Sequence, residues 1–153
     1  MRELDRAGIA YVTRTYEHGD DDGSTLGVHI AQQLGQDPAS AFKTLVCAAP
    51  DGDHVVCCVP VAAELDLKRA AAASGHKSLS MVHVADLEAL TGYVRGGCSP
   101  IGMRKRFATL IDESATEHDI ISVSGGARGI SLELAPDDLA AHCGATFAPI
   151  THD

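Results

Sequence analysis

Tryptophan is absent from this 153-residue chain, and only 4% of the residues are aromatic. The hydrophobic core must therefore be built from valine, isoleucine, leucine and alanine. No apolar run approaches the roughly 20 residues of a membrane-spanning helix, and Arg2, Glu3, Asp5 and Arg6 carry charge where a signal peptide would be apolar. The length suits about one domain. We therefore expect a single cytoplasmic domain over residues 1–153 that has no membrane partner.

Positive charge is also scarce, because 12 lysines and arginines face 21 aspartates and glutamates, for a formal net charge of −9. A protein that coats nucleic acid needs many cations at its interface, so that role, and DNA binding in particular, is not expected. Any RNA contact must be confined to a small basic surface, or a partner protein must make most of the contacts with the RNA. The candidate RNA-binding cations are Arg104, Lys105, Arg106 and Arg128 near the glycine-rich segments, with Lys68, Arg69 and Lys77 as further candidates.

The five cysteines contain no C-x-x-C pair, and Cys57 and Cys58 are adjacent. An odd number at irregular spacing predicts neither a disulfide framework nor a thiolate metal site. The eight histidines show no zinc-ligand spacing either. We expect reduced thiols, no metal and no cofactor.

Strand and helix signals alternate irregularly along the chain. The strongest local signal is Asp51-Gly52 between two apolar runs, which predicts a hairpin of strands 42–49 and 54–61. The pattern indicates an α+β fold with a mixed, mostly antiparallel sheet flanked by helices. The other predicted strands are 9–16, 79–82, 108–112, 120–123, 130–134 and 146–150; the predicted helices are 24–34, 64–73, 85–90 and 136–142, and residues 4–8 form at most one helical turn.

Lys43 interrupts the apolar run 41–48, which is otherwise typical of a buried strand. A cation there must reach water or be held for a purpose; a lysine that protects a sheet edge is the plain structural alternative. Further along, the segment 96–102 (GGCSPIG) is too rich in glycine for the interior of a helix or strand. Its backbone amides can face a ligand, although a turn that only needs to bend would have the same composition.

Four segments in one order carry a family resemblance: FKTL at 42–45, PVAAELDLK at 60–68, TGYVRGGCSPIG at 91–102 and VSGGARG at 123–129. Together they closely resemble the YbaK/EbsC family of cytosolic aminoacyl-tRNA deacylases, named for hydrolysis of Cys-tRNA(Pro). The likeness runs from about residue 11 to residue 150. It implies a barrel-like sheet flanked by helices and a role in translation fidelity. The implied partners are the acceptor end of an aminoacyl-tRNA and, as a second candidate, prolyl-tRNA synthetase.

The resemblance also implies roles for individual residues. Lys43 would anchor the terminal ribose, a phosphate or the aminoacyl carbonyl, and the amides of the glycine-rich loop would face the ester as an oxyanion site requires. The catalytic candidates are Lys43, Gly97, Ser99 and Pro100. The substrate-binding candidates are Tyr16, Leu26, Thr44, Gly96, Gly102, Ser124 and Ser131.

Several of these residues have a second interpretation or depart from the family pattern. Ser124 can cap its own loop through the hydroxyl, and Tyr16 can pack in the core as readily as line a pocket or stack on an adenine. Leu26 stands where the family commonly has Phe. Ser131 stands where related sequences carry Asp, so either Glu133 or Asp112 substitutes for that acid, or recognition of the substrate's amino group is altered.

The chain offers a place for oxyanion charge but no evident nucleophile. In the family, the thiol of the substrate cysteine is thought to attack its own carbonyl and release a cyclic thioester, so the enzyme supplies positioning. Two alternatives stay open. The protein could be an editing deacylase for another small amino acid, as on Ala-tRNA(Pro), or a non-catalytic module that binds tRNA or a synthetase.

Overall fold

Eight strands and four α-helices make up the part of the chain that this computed structural model describes. That part is residues 2–15, 37, 39–93, 98–103, 107–127 and 129–152, without the side chains of Arg2, Glu3 and Val84. The helices are α1 (Arg2–Ala7), α2 (Leu67–Ser74), α3 (Val84–Thr91) and α4 (Pro136–Cys143), and a 3₁₀ helix covers Glu113–Glu117. The strands are β1 (Tyr11–Thr15), β2 (Phe42–Ala48), β3 (His54–Pro60), β4 (Ser80–Met81), β5 (Ala108–Asp112), β6 (Ile121–Ser124), β7 (Ile130–Leu134) and β8 (Thr146–Ala148).

The strands form two sheets. One has three antiparallel strands in the order β1-β7-β6, and the other has five in the order β4-β2-β3-β5-β8. In the five-stranded sheet β2 pairs antiparallel with β3 and β4, while β5 pairs parallel with β3 and β8. The prediction of a mixed, mostly antiparallel α+β fold is therefore confirmed. Within the described residues the strands remain two sheets and do not close into a barrel.

The β2–β3 hairpin has the turn that its sequence predicts. Gly52 adopts a positive φ of 94°, a conformation that glycine reaches at no steric cost. The Asp51 carboxylate accepts a hydrogen bond from the Asp53 amide at 3.0 Å, and the Ala49 amide donates to the Asp53 carbonyl at 2.8 Å. Local polar groups thus satisfy one another and fix the register of both strands.

The two faces of β3 serve different hydrophobic clusters, as strand alternation requires. Val55, Cys57 and Val59 pack with α2 and Ile150 on one face. On the other face Cys58 packs against the three-stranded sheet and α4, and Val56 packs in a smaller cluster with Cys98. The five-stranded sheet is consequently covered on both sides.

Helix α2 begins later than the sequence pattern predicts. Residues 64–73 were expected to be helical, but Asp66 is the N-cap, and its carboxylate accepts hydrogen bonds from the amides of Lys68 and Arg69 at 3.0 and 3.1 Å. Leu65 instead forms an isolated bridge with Thr151. The hydrogen bonds that the Asp66 carboxylate accepts from backbone amides lower its pKa, and the bond from Arg69 has the largest effect.

Three further features differ from the predicted secondary structure. The strand expected over 146–150 ends at Ala148, and the helix at the N-terminus spans Arg2–Ala7, which is more than one turn. The 3₁₀ helix Glu113–Glu117 was not predicted; it starts where the buried Asp112 carboxylate caps the Ser114 amide at 3.2 Å. The predicted helix 24–34 lies outside the described residues.

Candidate active site

The candidate site lies where the two sheets meet, at the amino end of β2. Ala41 forms a parallel bridge with Ser122, and the Ser122 amide donates to the Ser40 carbonyl at 2.9 Å. The bridge is isolated, and strands β2 and β6 belong to different sheets that contact each other here. The start of β2 and strand β6 are therefore neighbours in space.

Lys43 is half-buried and belongs to the face of β2 that carries Leu45 and Cys47. Burial lowers the pKa of its ammonium, and the Glu64 carboxylate acts in the opposite direction. Among the described residues no side chain forms a hydrogen bond or salt bridge with that ammonium. Lys43 therefore presents a partly desolvated cation whose charge is not neutralised by a close carboxylate in this part of the structure.

Thr44 points the other way. Its hydroxyl lies 3.7 Å from the Cys58 sulfur, on the face of β2 where Phe42 and Val46 enter the core. The side chains of Lys43 and Thr44 accordingly occupy opposite faces of the same strand. In this geometry the Thr44 side chain faces away from a ligand bound at Lys43.

Ser124 and Ser131 are direct cross-strand partners on β6 and β7. Their neighbours Val123 and Leu132 point into the core, so both serines lie on the opposite face of the three-stranded sheet. The Ser124 hydroxyl accepts a hydrogen bond from the Gly126 amide at 3.2 Å, which is the loop-capping geometry. Ser131 itself is buried.

The loop after β6 needs its glycines for two separate reasons. A Cβ added at Gly125 would lie 2.5 Å from Cγ2 of Ile130, so there is no space for a side chain. Gly126 has a φ of 103°, which other residues rarely adopt. The loop after β6 therefore has a defined conformation that requires glycine at both positions.

The described part of the first glycine-rich loop, residues 98–103, is buried at Cys98, Ser99, Pro100 and Ile101. The Ser99 hydroxyl accepts from the Ile101 amide at 3.3 Å, and the Cys143 thiol donates to the Pro100 carbonyl at 3.4 Å. Gly102 is exposed and has a positive φ of 72°. Both loops are thus organised by a serine that accepts a hydrogen bond from the amide two residues ahead.

Tyr93 connects the two loops, a role that the sequence analysis did not assign to it. Its hydroxyl donates to the Ile101 carbonyl at 2.5 Å, and its ring lies beside Gly126, where an added Cβ would be 3.2 Å from Cε1. The only sequence signal was its place inside the segment 91–102. The contact joins residues far apart in the chain, so local pattern could not reveal it.

Neither acid considered as a substitute at Ser131 is a free carboxylate. Glu133 forms a salt bridge with Arg14 across the β1–β7 pair. Asp112 is buried and accepts hydrogen bonds from the Ser114 amide, the Ile150 amide and the Thr151 hydroxyl. Asp112 is therefore a structural carboxylate, whereas Glu133 remains on the same face as Ser131.

Cys57, Cys58 and Cys98 are poor candidates for a nucleophile. Four of the five cysteines are buried, and Cys143 is half-buried. Burial raises the pKa of the Cys98 thiol to about 11, with a smaller opposing effect from a hydrogen bond to Thr91. Burial likewise raises the pKa of Cys58 to about 12, and the hydrogen bond that Cys57 makes with Cys47 raises the pKa of Cys57. A protonated, buried thiol is chemically inert.

One group of possible metal ligands exists among the described residues, at the opposite end of β2. Asp51, Asp53 and His76 place their ligand atoms within 4.8 Å of one another, and His76 Nε2 lies 3.2 Å from an Asp53 carboxylate oxygen. Both aspartates are exposed. The tertiary fold brings these residues together, so ligand spacing in the sequence gave no sign of them.

The remaining predicted site residues lie outside the described part of the chain. They are Tyr16, Leu26, Gly96, Gly97, Arg104, Lys105, Arg106 and Arg128. Ser124 and Ser131 share one face of the three-stranded sheet, and Lys43 lies on the strand that is bridged to β6. Ser99, Pro100 and Gly102 belong to the loop that Tyr93 joins to Gly126.

Comparison with known proteins identifies the family of the chain. Residues 21–141 match the model of the aminoacyl-tRNA editing domain. The chain belongs to that family. A protein of Enterococcus faecalis, provisionally named as the Cys-tRNA(Pro)/Cys-tRNA(Cys) deacylase EbsC, is 42% identical over 99% of this chain and 91% of its own length. The resemblance predicted from the sequence motifs is confirmed.

Two solved structures share the fold of this editing-domain protein. One, described provisionally as a trans-editing enzyme for prolyl-tRNA synthetase, is 22% identical with a TM-score of 0.82 and covers 99% of this chain and 94% of that chain. The other, of protein APE2540, is 18% identical with a TM-score of 0.87 and covers 99% and 97%. At these identities the likeness concerns the fold alone. No helix in the described ranges has the length and apolar character that a membrane crossing requires.

Proposed function

We propose that this protein is a trans-editing deacylase that releases cysteine from mischarged Cys-tRNA(Pro). The proposal is supported by the 42% identity to a relative named as a Cys-tRNA deacylase. The structural observation that carries it is Lys43, a half-buried cation at the meeting point of two sheets, without a hydrogen-bonding or ion-pair partner among the described residues. A desolvated cation is costly to keep in a fold, so a half-buried lysine without a described partner favours use in binding or catalysis.

In this proposal Lys43 holds the aminoacyl end by charge. A partly desolvated ammonium interacts more strongly with a developing oxyanion or a phosphate than a solvated one does. The loop amides between Gly96 and Gly102 are the further donors toward the ester, with Gly97, Ser99 and Pro100 shaping the loop. Tyr16, Leu26 and the Thr44 backbone complete the proposed pocket around the aminoacyl group.

The nucleophile in this proposal is the thiol of the substrate. Its sulfur bonds to the carbonyl carbon of the same cysteine, the ester carbon–oxygen bond breaks, and the thiol proton passes to the leaving ribose oxygen. Water then opens the released cyclic thioester to cysteine. The proposal is supported by the raised pKa values of Cys98 and Cys58 and by the use of the Ser99 and Ser124 hydroxyls inside their own loops.

Recognition of the substrate's amino group is assigned to the Ser131 hydroxyl together with Glu133. Glu133 lies two residues along β7 on the same face, and its pairing with Arg14 orients it. This arrangement would replace the single acid that related sequences have at the Ser131 position. It predicts weaker selection for the ammonium than a directly placed aspartate would give.

The proposed partner is the acceptor end of an aminoacyl-tRNA, with prolyl-tRNA synthetase as a second partner that improves binding. A net charge of −9 makes tight binding to free tRNA unfavourable. Arg104, Lys105, Arg106 and Arg128 are the proposed local contacts to the RNA backbone. We place this activity in the cytoplasm and in one domain that spans residues 1–153.

The experiment is a turnover assay with purified protein and Cys-, Ala- and Pro-tRNA(Pro), each with and without prolyl-tRNA synthetase. The expected result is many molecules of cysteine released per molecule of protein, with much slower release of alanine and proline. Preferential release of alanine would favour editing of a different small amino acid. Stoichiometric binding without turnover on any of the three substrates would show a non-catalytic binding module and refute the proposal.

A further inference from the structure

Tyr93 occupies a position that no part of the reaction scheme above uses. It follows α3 directly, and the buried Thr91 hydroxyl accepts a hydrogen bond from the Tyr93 amide at 3.0 Å while donating to the Leu87 carbonyl at 2.9 Å. The backbone of Tyr93 is therefore fixed to the end of a helix. Its side chain can act as a rigid arm.

That arm reaches both loops of the candidate site. The hydroxyl donates to the Ile101 carbonyl at 2.5 Å, and the ring lies beside Gly126, where even an alanine Cβ would approach Cε1 to 3.2 Å. Ile101 is buried, and its amide is already bonded to Ser99. The hydroxyl thus completes the backbone hydrogen bonding of Ile101 and ties the first loop to the second.

We infer that Tyr93 is a positioning residue for the deacylation reaction, fixing the spacing between the 98–103 loop and the loop after β6. The inference rests on the proposed function, because it assigns the two loops to one reaction. In this role Tyr93 acts through Ile101 and Gly126 and not by touching the substrate. Since a small displacement of reacting groups costs rate more than it costs ground-state binding, the effect should fall on kcat.

The Tyr93→Phe variant keeps the ring against Gly126 and removes the hydrogen bond to Ile101. Tyr11→Phe is the matched control, because the Tyr11 hydroxyl donates to Asp5 at 2.8 Å, far along the chain from either loop. We expect kcat for Cys-tRNA(Pro) to fall about three- to tenfold in Tyr93→Phe, the range that one neutral hydrogen bond supports. KM should change little, and Tyr11→Phe should match the wild type in both constants.

Amide hydrogen exchange provides a measurement that does not depend on activity. Tyr93→Phe should speed exchange of the Ile101 amide, and Tyr93→Leu, which also removes the ring, should speed exchange at both Ile101 and Gly126. The α2 amides serve as an internal reference for global stability. Unchanged exchange at Ile101 in Tyr93→Phe, or equal acceleration in Tyr11→Phe, would overturn the inference.

The two readouts separate this inference from the proposed function. If the wild type fails to turn over Cys-tRNA(Pro), the proposed function fails, and the exchange experiment still decides whether Tyr93 couples the loops. If the wild type is active and Tyr93→Phe has wild-type kcat, the positioning role fails while the deacylase proposal stands. A fall in kcat accompanied by equally faster exchange in α2 would indicate general destabilisation and would also overturn the inference.

Discussion

The two ends of strand β2 differ in how their polar groups are satisfied. At the hairpin end Asp51, Gly52 and Asp53 bond to each other and to Ala49, and Asp53 also meets His76. At the other end the Lys43 ammonium has no such partner among the described residues, and the strand is bridged to β6 through Ala41 and Ser122. The hydrogen bonds among the turn residues hold the turn in place. The half-buried ammonium of Lys43, which has no described partner, is the group of the hairpin that can bind or stabilise a ligand.

The largest expected effect comes from removing that cation. Lys43→Ala should reduce kcat/KM for Cys-tRNA(Pro) by at least about 100-fold, the usual loss when a charge-stabilising group is removed from an active site. Arg6→Ala, which removes an exposed cation from α1, is the matched control and should retain full activity. Steady-state deacylation rates measure both variants. Similar activity in the two variants would contradict a functional role for Lys43.

A second variant tests Asp112, a buried carboxylate that already accepts three hydrogen bonds. Asp112→Ala should lower the free energy of unfolding by about 2–4 kcal/mol, because three donors lose a buried charged acceptor. Asp119→Ala, at an exposed position, should change stability by less than about 0.5 kcal/mol. Urea unfolding followed by circular dichroism gives both values. An Asp112→Ala protein with wild-type stability and impaired selection for the substrate's amino group would place Asp112 in the site instead.

The lowered pKa of Lys43 predicts opposite effects of pH on activity and stability. Between the lowered folded value and the usual 10.5, the unfolded chain binds more protons than the folded protein, so the free energy of unfolding rises with pH in that interval. Activity falls over the same interval because the ammonium loses its charge. Lys43→Met should remove this contribution to stability, which is measured as the difference between wild type and variant as the pH is raised to 10.5.

The smallest expected effect is at Cys98. Because burial raises the pKa of this thiol to about 11, Cys98→Ala should change kcat by no more than about threefold, as a protonated thiol is not a nucleophile. Cys47→Ala, a buried thiol in a different cluster, is the control for packing changes. Loss of activity in Cys98→Ala alone, with the fold intact by circular dichroism, would assign the nucleophile to the enzyme.

Local patterns in the sequence predicted the elements that depend on local interactions. The hairpin around Asp51-Gly52, the helix that begins at Pro136 and the strand interrupted by Lys43 all follow from residues close together in the chain. Strand alternation alone also implies that Lys43 and Thr44 point to opposite faces. These features required no knowledge of tertiary contacts.

The rest depends on contacts between distant segments. Asp112 bonds to Ile150, and Tyr93 touches Gly126, so neither role could be inferred from neighbouring residues. The start of α2 was misplaced for a related reason: Leu65 pairs with Thr151 near the other end of the chain, which competes with helix formation. Sequence motifs marked which segments matter but not which side chains join them.

The most direct test of the central claim compares Cys-tRNA(Pro) with Ser-tRNA(Pro), in which oxygen replaces the substrate sulfur. If the protein supplies position and charge while the substrate supplies the nucleophile, single-turnover hydrolysis of the serine ester should be at least about 100-fold slower, since a hydroxyl is a far weaker nucleophile at neutral pH. Binding of the two tRNAs should be similar. Comparable hydrolysis rates for both esters would contradict the account and require a nucleophile on the enzyme or an activated water.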